Sequence, residues 1–124
     1  MPDRSRRGQT AYRRGHTAEA AATAALEADG WTILARRLRT AAGEIDIVAD
    51  KDGLLVFVEV KARPSLVEAA AAVAPRQQAR LVAAAEIVLA EHPDWGPQGA
   101  RFDLLLVDAR GVVRRIADAF RGDG

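Results

Sequence analysis

Apolar and polar residues alternate along two short stretches near the middle of the chain. In Gly43-Glu44-Ile45-Asp46-Ile47 and in Val56-Phe57-Val58-Glu59-Val60-Lys61, Ile45, Ile47, Val58 and Val60 recur at every second position. That is the period of a strand with one face in a core. The same alternation throws Glu44 with Asp46, and Glu59 with Lys61, to the opposite side. Asp50-Lys51-Asp52-Gly53 between them is a hairpin-turn signal. The pattern therefore predicts antiparallel strands over 44–49 and 54–62.

Elsewhere the period lengthens. The run AEAAATAALEA predicts a helix over 16–28, stopped by Gly30. Residues 31–38, with Thr32 and Ile33, read as a first strand, and 40–43 as a turn. The alanine-rich stretch 65–74 is either a loop or a short helix. Pro75 opens a helix to Glu91 whose inward stripe is Leu81, Val82, Ala85, Val88 and Leu89. A loop at 92–99, a strand at 101–107 and a short strand at 112–116 complete the order. The hairpin, followed by a β-α-β crossover with adjacent parallel strands, implies an α/β fold with a mixed central sheet flanked by helices.

With 124 residues, the chain suits one domain, and 49% hydrophobic content is globular, although alanine inflates that figure. The expected organisation is a basic, flexible arm over 1–14 and a single domain over 15–124. No apolar run approaches the ~20 residues that span a bilayer. The basic start leads into polar residues rather than an apolar signal segment, so a cytoplasmic protein without membrane partners is expected. The chain has no cysteine, which excludes disulfides and thiolate metal sites. A net charge of +1 conceals two arginine clusters. One is Arg4, Arg6, Arg7, Arg13 and Arg14, either a phosphate-binding arm or a solvated terminus; the other is Arg36, Arg37 and Arg39.

The alternation brings chemistry together. Asp46 and Glu59 on paired strands offer carboxylates for a hard cation, Mg²⁺ or Mn²⁺, with the Val60 carbonyl as a further ligand. Lys61 shares the face of Glu59 and is placed to orient or deprotonate an attacking water, or to stabilise charge on a phosphate. The competing reading is plain surface charge. Four ionisable groups in one hairpin, set in strands too apolar to be edge decoration, argue against it. Glu19 precedes Ala22 by three and Leu26 by seven, which puts it on the apolar stripe of the first helix, where a carboxylate needs a partner. A surface glutamate is the alternative. Glu44 shares the side of Asp46, or else holds an arginine such as Arg39.

GEIDIVA, then FVEVKAR, with RFD near the end, resembles the YraN-like family of small bacterial proteins. That family is placed in the PD-(D/E)xK nuclease superfamily, distantly similar to archaeal Holliday-junction resolvases. The likeness runs from about Gly15 to Val107. It implies a restriction-endonuclease-like core and a Mg²⁺- or Mn²⁺-dependent endonuclease acting on nucleic acid, DNA in preference to RNA, including branched or structured DNA. The motif's Asp, Glu and Lys fall on Asp46, Glu59 and Lys61, the residues that alternation selects. The family's Gly-Glu pair in the first helix is here Ala18-Glu19, which adds Glu19 to the site and to the metal ligands. Its Lys-Gln pair at the long helix falls on Arg76-Gln77-Gln78, with Gln77 at the lysine position. The Phe-Gly usual after the lysine strand is missing. Arg76 and Arg80, one turn apart, are then the phosphate contacts, beside Gln77, with Arg13, Arg14, Arg36, Arg37 and Arg39 tracking the backbone. Cutting a branched junction would call for a homodimer.

Arg101 and Asp103 read as a structural ion pair and Trp31 as core. Trp95 lies in a loop, and His16 and His92 lack partners at metal-ligand spacing. A binding module that keeps the nuclease fold without cutting is the competing functional reading.

Overall fold

The computed structural model describes residues 17–65, 67 and 75–120. The predicted arm, with Arg13 and Arg14, and most of the alanine-rich stretch lie outside the described residues. A helix over 17–28 (α1) precedes β1 (Thr32–Thr40), β2 (Gly43–Lys51), β3 (Leu54–Ala62), a second long helix α2 (Pro75–Glu91), β4 (Ala100–Val107) and β5 (Val113–Phe120). The five strands form one sheet in sequence order. β1–β2, β2–β3 and β4–β5 are antiparallel, while β3–β4 is parallel. The chain is thus α/β with a mixed open sheet. Among the described residues no helix is long and apolar enough to cross a membrane.

Alternation along β3 sorts the two helices onto opposite faces. Val56 and Val58 pack with Ala22 and Leu26 of α1, Trp31, Ile47, Ala49 and Leu105. Leu55 and Phe57 pack with Ala84, Ala85 and Val88 of α2 and with Ile45 and Val48. Each fully buried Leu, Ile or Phe contributes roughly 1.5–3 kcal/mol, which makes the register of the central strands hard to shift. On α2 the buried stripe is Leu81, Ala84, Ala85 and Val88. Val82 and Leu89, expected inside, are only half-buried, because the narrow alanines bring the helix down on its Ala84 side.

The β2–β3 turn is tighter than expected. Lys51 pairs with Leu54, and Asp52 and Gly53 both have left-handed backbones, φ 53° and 86°, as a two-residue hairpin of this twist demands. The β1–β2 turn is closed by Thr40, whose hydroxyl donates to the Gly43 carbonyl at 2.7 Å and accepts from the Ala42 and Gly43 amides at 3.1 Å. β5 runs four residues past its expected end. Asp118 sits at φ 52°, its amide donates to Asp103 Oδ1 at 3.0 Å, and Phe120 stacks on Phe102 at 4.9 Å. These long-range contacts extend a strand that local pattern ends at Ile116.

Candidate active site

The central sheet splits where the acidic residues sit. The β2–β3 ladder runs from Lys51↔Leu54 to Ile47↔Val58 and stops. Continued by one step, it would set Asp46 opposite Glu59. β3 stays paired with β4 through Ala62↔Val107, so β2 is the strand that leaves. The amide of Val60, left without a ladder partner on that side, donates instead to Asp46 Oδ2 at 2.8 Å.

A reversal of face accompanies the split. Ile47 belongs to the cluster under α1, but Ile45, two residues earlier, belongs to the cluster under α2. In an unbroken strand both would share a face. The flanking β1 shows the cause. Arg36 pairs with Ile47 and Leu38 with Ile45, but between them Arg37 has φ 50°. A left-handed backbone at a non-glycine residue costs about 1–2 kcal/mol, and here it turns the strand pair over. Asp46 lies at the turning point and lines hollows on both sides of the sheet. The larger, about 480 Å³, holds Glu44, Asp46, Glu59, Arg76, Gln77 and Arg80. The smaller, about 230 Å³, holds Glu19, Arg37, Glu44, Asp46, Val60 and Ala62.

Around Asp46 the charges are crowded. Glu59 is buried, with 6% of its surface exposed. Its Oε1 accepts from Gln77 Nε2 at 2.6 Å and lies 3.0 Å from Lys61 Nζ. Burial, and after it the neighbouring Glu59 charge, push the Asp46 carboxyl up to about 7 from an ordinary 3.8. Neighbouring carboxylates disfavour each other's charge. Such a pair is the donor set that a divalent cation satisfies in place of a proton, and Mg²⁺ is commonly held by one or two protein carboxylates with water and phosphate. Asp46 and Glu59 therefore fit the expected metal, although no group of three or more ligating side chains is preassembled among the described residues.

Glu19 projects from α1 toward the same place, 8% exposed. Arg37 Nε donates to its Oε2 at 2.8 Å, and Arg36 Nε lies 3.6 Å from Oε1. Its expected inward position holds, with guanidiniums as its partners. Arg36 and Arg37, assigned from sequence to the nucleic-acid backbone, are turned onto this carboxylate, whereas Arg39, 3.8 Å from Glu44, is almost fully exposed. Glu44 thus takes the arginine that its alternative reading named. Gln77 turns its amide onto Glu59, while Arg76 and Arg80 are exposed at the rim of the larger hollow. Sequence reasoning missed two contributors, the Val60 amide and the backbone of Arg37. A main-chain donor carries no side-chain signal, and nothing about arginine advertises a positive φ.

The RFD segment is structural, as expected. Asp103 is wholly buried and accepts from Arg101 Nε and an Arg101 terminal nitrogen at 2.9 and 3.1 Å. Trp31 is buried beside it, and Trp95 stacks on His92 with centroids 3.8 Å apart.

Residues 18–107 match the model of a family described as Uncharacterised protein family UPF0102. A UPF0102 protein of Granulibacter bethesdensis is 63% identical over 94% of this chain and 74% of its own length. One from Azorhizobium caulinodans is 51% identical over 96% and 91%, and one from Rhodopseudomonas palustris 50% identical over 89% and 85%.

Proposed function

The chain belongs to the UPF0102 family, YraN-like proteins, and we propose that it is a metal-dependent nuclease that hydrolyses phosphodiester bonds in DNA. The observation that carries this reading is the Asp46–Glu59 pair at the split of β2 and β3, with Lys61 3.0 Å from Glu59. A hairpin bearing these residues, followed by a helix and a parallel strand, is also what a restriction-endonuclease-like core requires, and we read the fold that way.

Bound at Asp46 and Glu59, with the Val60 carbonyl as a further ligand, Mg²⁺ or Mn²⁺ would supply Lewis acidity and an acidified water. The protein's own groups do the rest. Gln77 and Lys61 fix the Glu59 carboxylate from one side. Lys61 Nζ, three protons on a flexible stem, orients the incoming water or neutralises charge on the phosphate. Arg76 and Arg80 at the rim hold flanking phosphates, which makes binding salt-dependent. Glu19 adds negative charge on the α1 side. Substrates cut in both strands of a junction would engage two copies of the chain.

The absence of a ready group of three ligands among the described residues favours the alternative, a nucleic-acid-binding module without turnover. Labelled single-stranded, duplex, flapped and four-way-junction DNA, incubated with Mn²⁺ or EDTA, separates the two. The nuclease reading expects cutting that needs metal and disappears in Lys61→Ala. Binding without cutting on every substrate would leave the module.

A further inference from the structure

Arg37 combines three features, of which the adjacent Arg36 shares only the contact with Glu19, at 3.6 Å. Arg37 itself has a left-handed backbone, φ 50°, inside a strand. It stands at the position where β1 and β2 turn over, next to Asp46 in the continued register. Its guanidinium makes the 2.8 Å contact to Glu19, a carboxylate with a tenth of its side chain exposed. Glycine or asparagine occupies left-handed positions readily, and arginine does not. An arginine held there keeps a strained backbone in exchange for what its side chain does, and that side chain is spent on an acidic residue of the site.

From this we infer that Arg37 is the resident counter-ion of the metal-free site, holding Glu19 against the charge of a divalent cation and so setting how tightly that cation binds. This rests on the metal-binding part of the reading above. Glu19 lines the smaller hollow together with Asp46, so its charge adds to the negative field there. A guanidinium on Glu19 reduces that field, and with it the attraction for any cation that enters between Asp46 and Glu59. Lys61 plays the corresponding part on Glu59, but it shares the face where substrate is cut, whereas Arg37 lines the smaller hollow on the α1 side. Arg37 is a positioning residue in this account, acting through Glu19.

Mn²⁺ titration calorimetry on the full chain tests it, with Arg37→Gly, which keeps the left-handed backbone and removes the guanidinium. Arg37→Lys serves as a second variant that keeps the charge. The pair is partly solvent-screened, so Arg37→Gly is expected to tighten Mn²⁺ binding about five-fold, corresponding to the upper range for a partly exposed ion pair. Arg37→Lys should stay near wild type, and in a Glu19→Gln background Arg37→Gly should change nothing. Unchanged or weaker Mn²⁺ binding by Arg37→Gly overturns the inference while leaving the nuclease reading in place. An equal effect in the Glu19→Gln background overturns it as well. If the wild-type protein takes no Mn²⁺, the metal-dependent reading falls first and this one with it. If Arg37→Gly fails to fold, the lysine variant decides: a Kd shifted as far as removal of the charge predicts, despite its retained charge, contradicts the counter-ion role.

Discussion

Asp103 and Asp46 are both aspartates of inner strands and both are largely out of solvent, yet their surroundings are opposite. Asp103 is met by both arms of Arg101, by the Asp118 amide, and at 3.9 Å by Arg115. Around it the cations Lys51, Arg101 and Arg115 lie 5.5–5.9 Å from the Trp31 ring. Nearby, a hydrogen bond from Trp31 and the charges of Lys51 and Arg115 hold the exposed Asp29 below the usual carboxylate range. Asp46 is met by one amide and by another carboxyl, and is pushed up to about 7. One region is a closed, neutralised network that joins β4, β5 and the end of α1. The other is a pair of carboxyls in which Lys61, 3.0 Å from Glu59, faces two acids. A buried acid next to an arginine fork is architecture; an acid held beside a second acid is a candidate site.

The contrast breaks first at Asp103. Asp103→Ala strands the Arg101 guanidinium and is expected to lower unfolding free energy by about 3–5 kcal/mol in urea titrations. Whatever protein remains folded should retain its metal binding. Lys61→Ala acts on the site itself. Its cleavage rate should fall on the order of 10²–10³-fold, about 3–4 kcal/mol of barrier.

Next comes pH. Because the Asp46 carboxyl stands at about 7 when folded and 3.8 when free, the folded chain keeps a proton between those values that the unfolded chain releases. Its contribution favours the fold in acid and is lost as pH rises from about 4 through 7. Metal-free protein should therefore lose stability across that window, as read by thermal midpoints at fixed ionic strength, and saturating Mg²⁺ should abolish the slope. Gln77→Ala is the smallest change, removing one amide from Glu59. About 1 kcal/mol of site organisation, seen as roughly a several-fold loss of kcat without loss of fold, is expected from one buried hydrogen bond.

Much of this contrast was legible in the sequence. The hairpin alternation placed Asp46, Glu59 and Lys61 together, and the limits of β3 and α2 match the structure residue for residue. Both elements are set by local signals: a two-residue turn, a strand-ending Arg63-Pro64 step, a proline at a helix start. Arg101 and Asp103 were readable as a pair because they lie two apart on a strand. What escaped was non-local. Alternation assigns Ile45 and Ile47 to one face, but the turnover at Arg37 and Asp46 sends them into different cores. The pairing of Arg37 with Glu19 spans eighteen residues, and the extension of β5 hangs on a bond between Asp118 and Asp103. Periodicity reports where side chains point in an unbroken element, and the site is built where the elements break.

The central claim is that the Asp46–Glu59 pair awaits a divalent cation. Thermal unfolding of wild type and Asp46→Asn at pH 8, titrated with Mg²⁺, tests it most directly. The account predicts that Asp46→Asn starts the more stable, relieved of ionising a raised carboxyl, and ignores Mg²⁺, while the wild-type midpoint climbs with Mg²⁺. A wild-type protein indifferent to Mg²⁺, or an Asp46→Asn variant that responds equally, would contradict it.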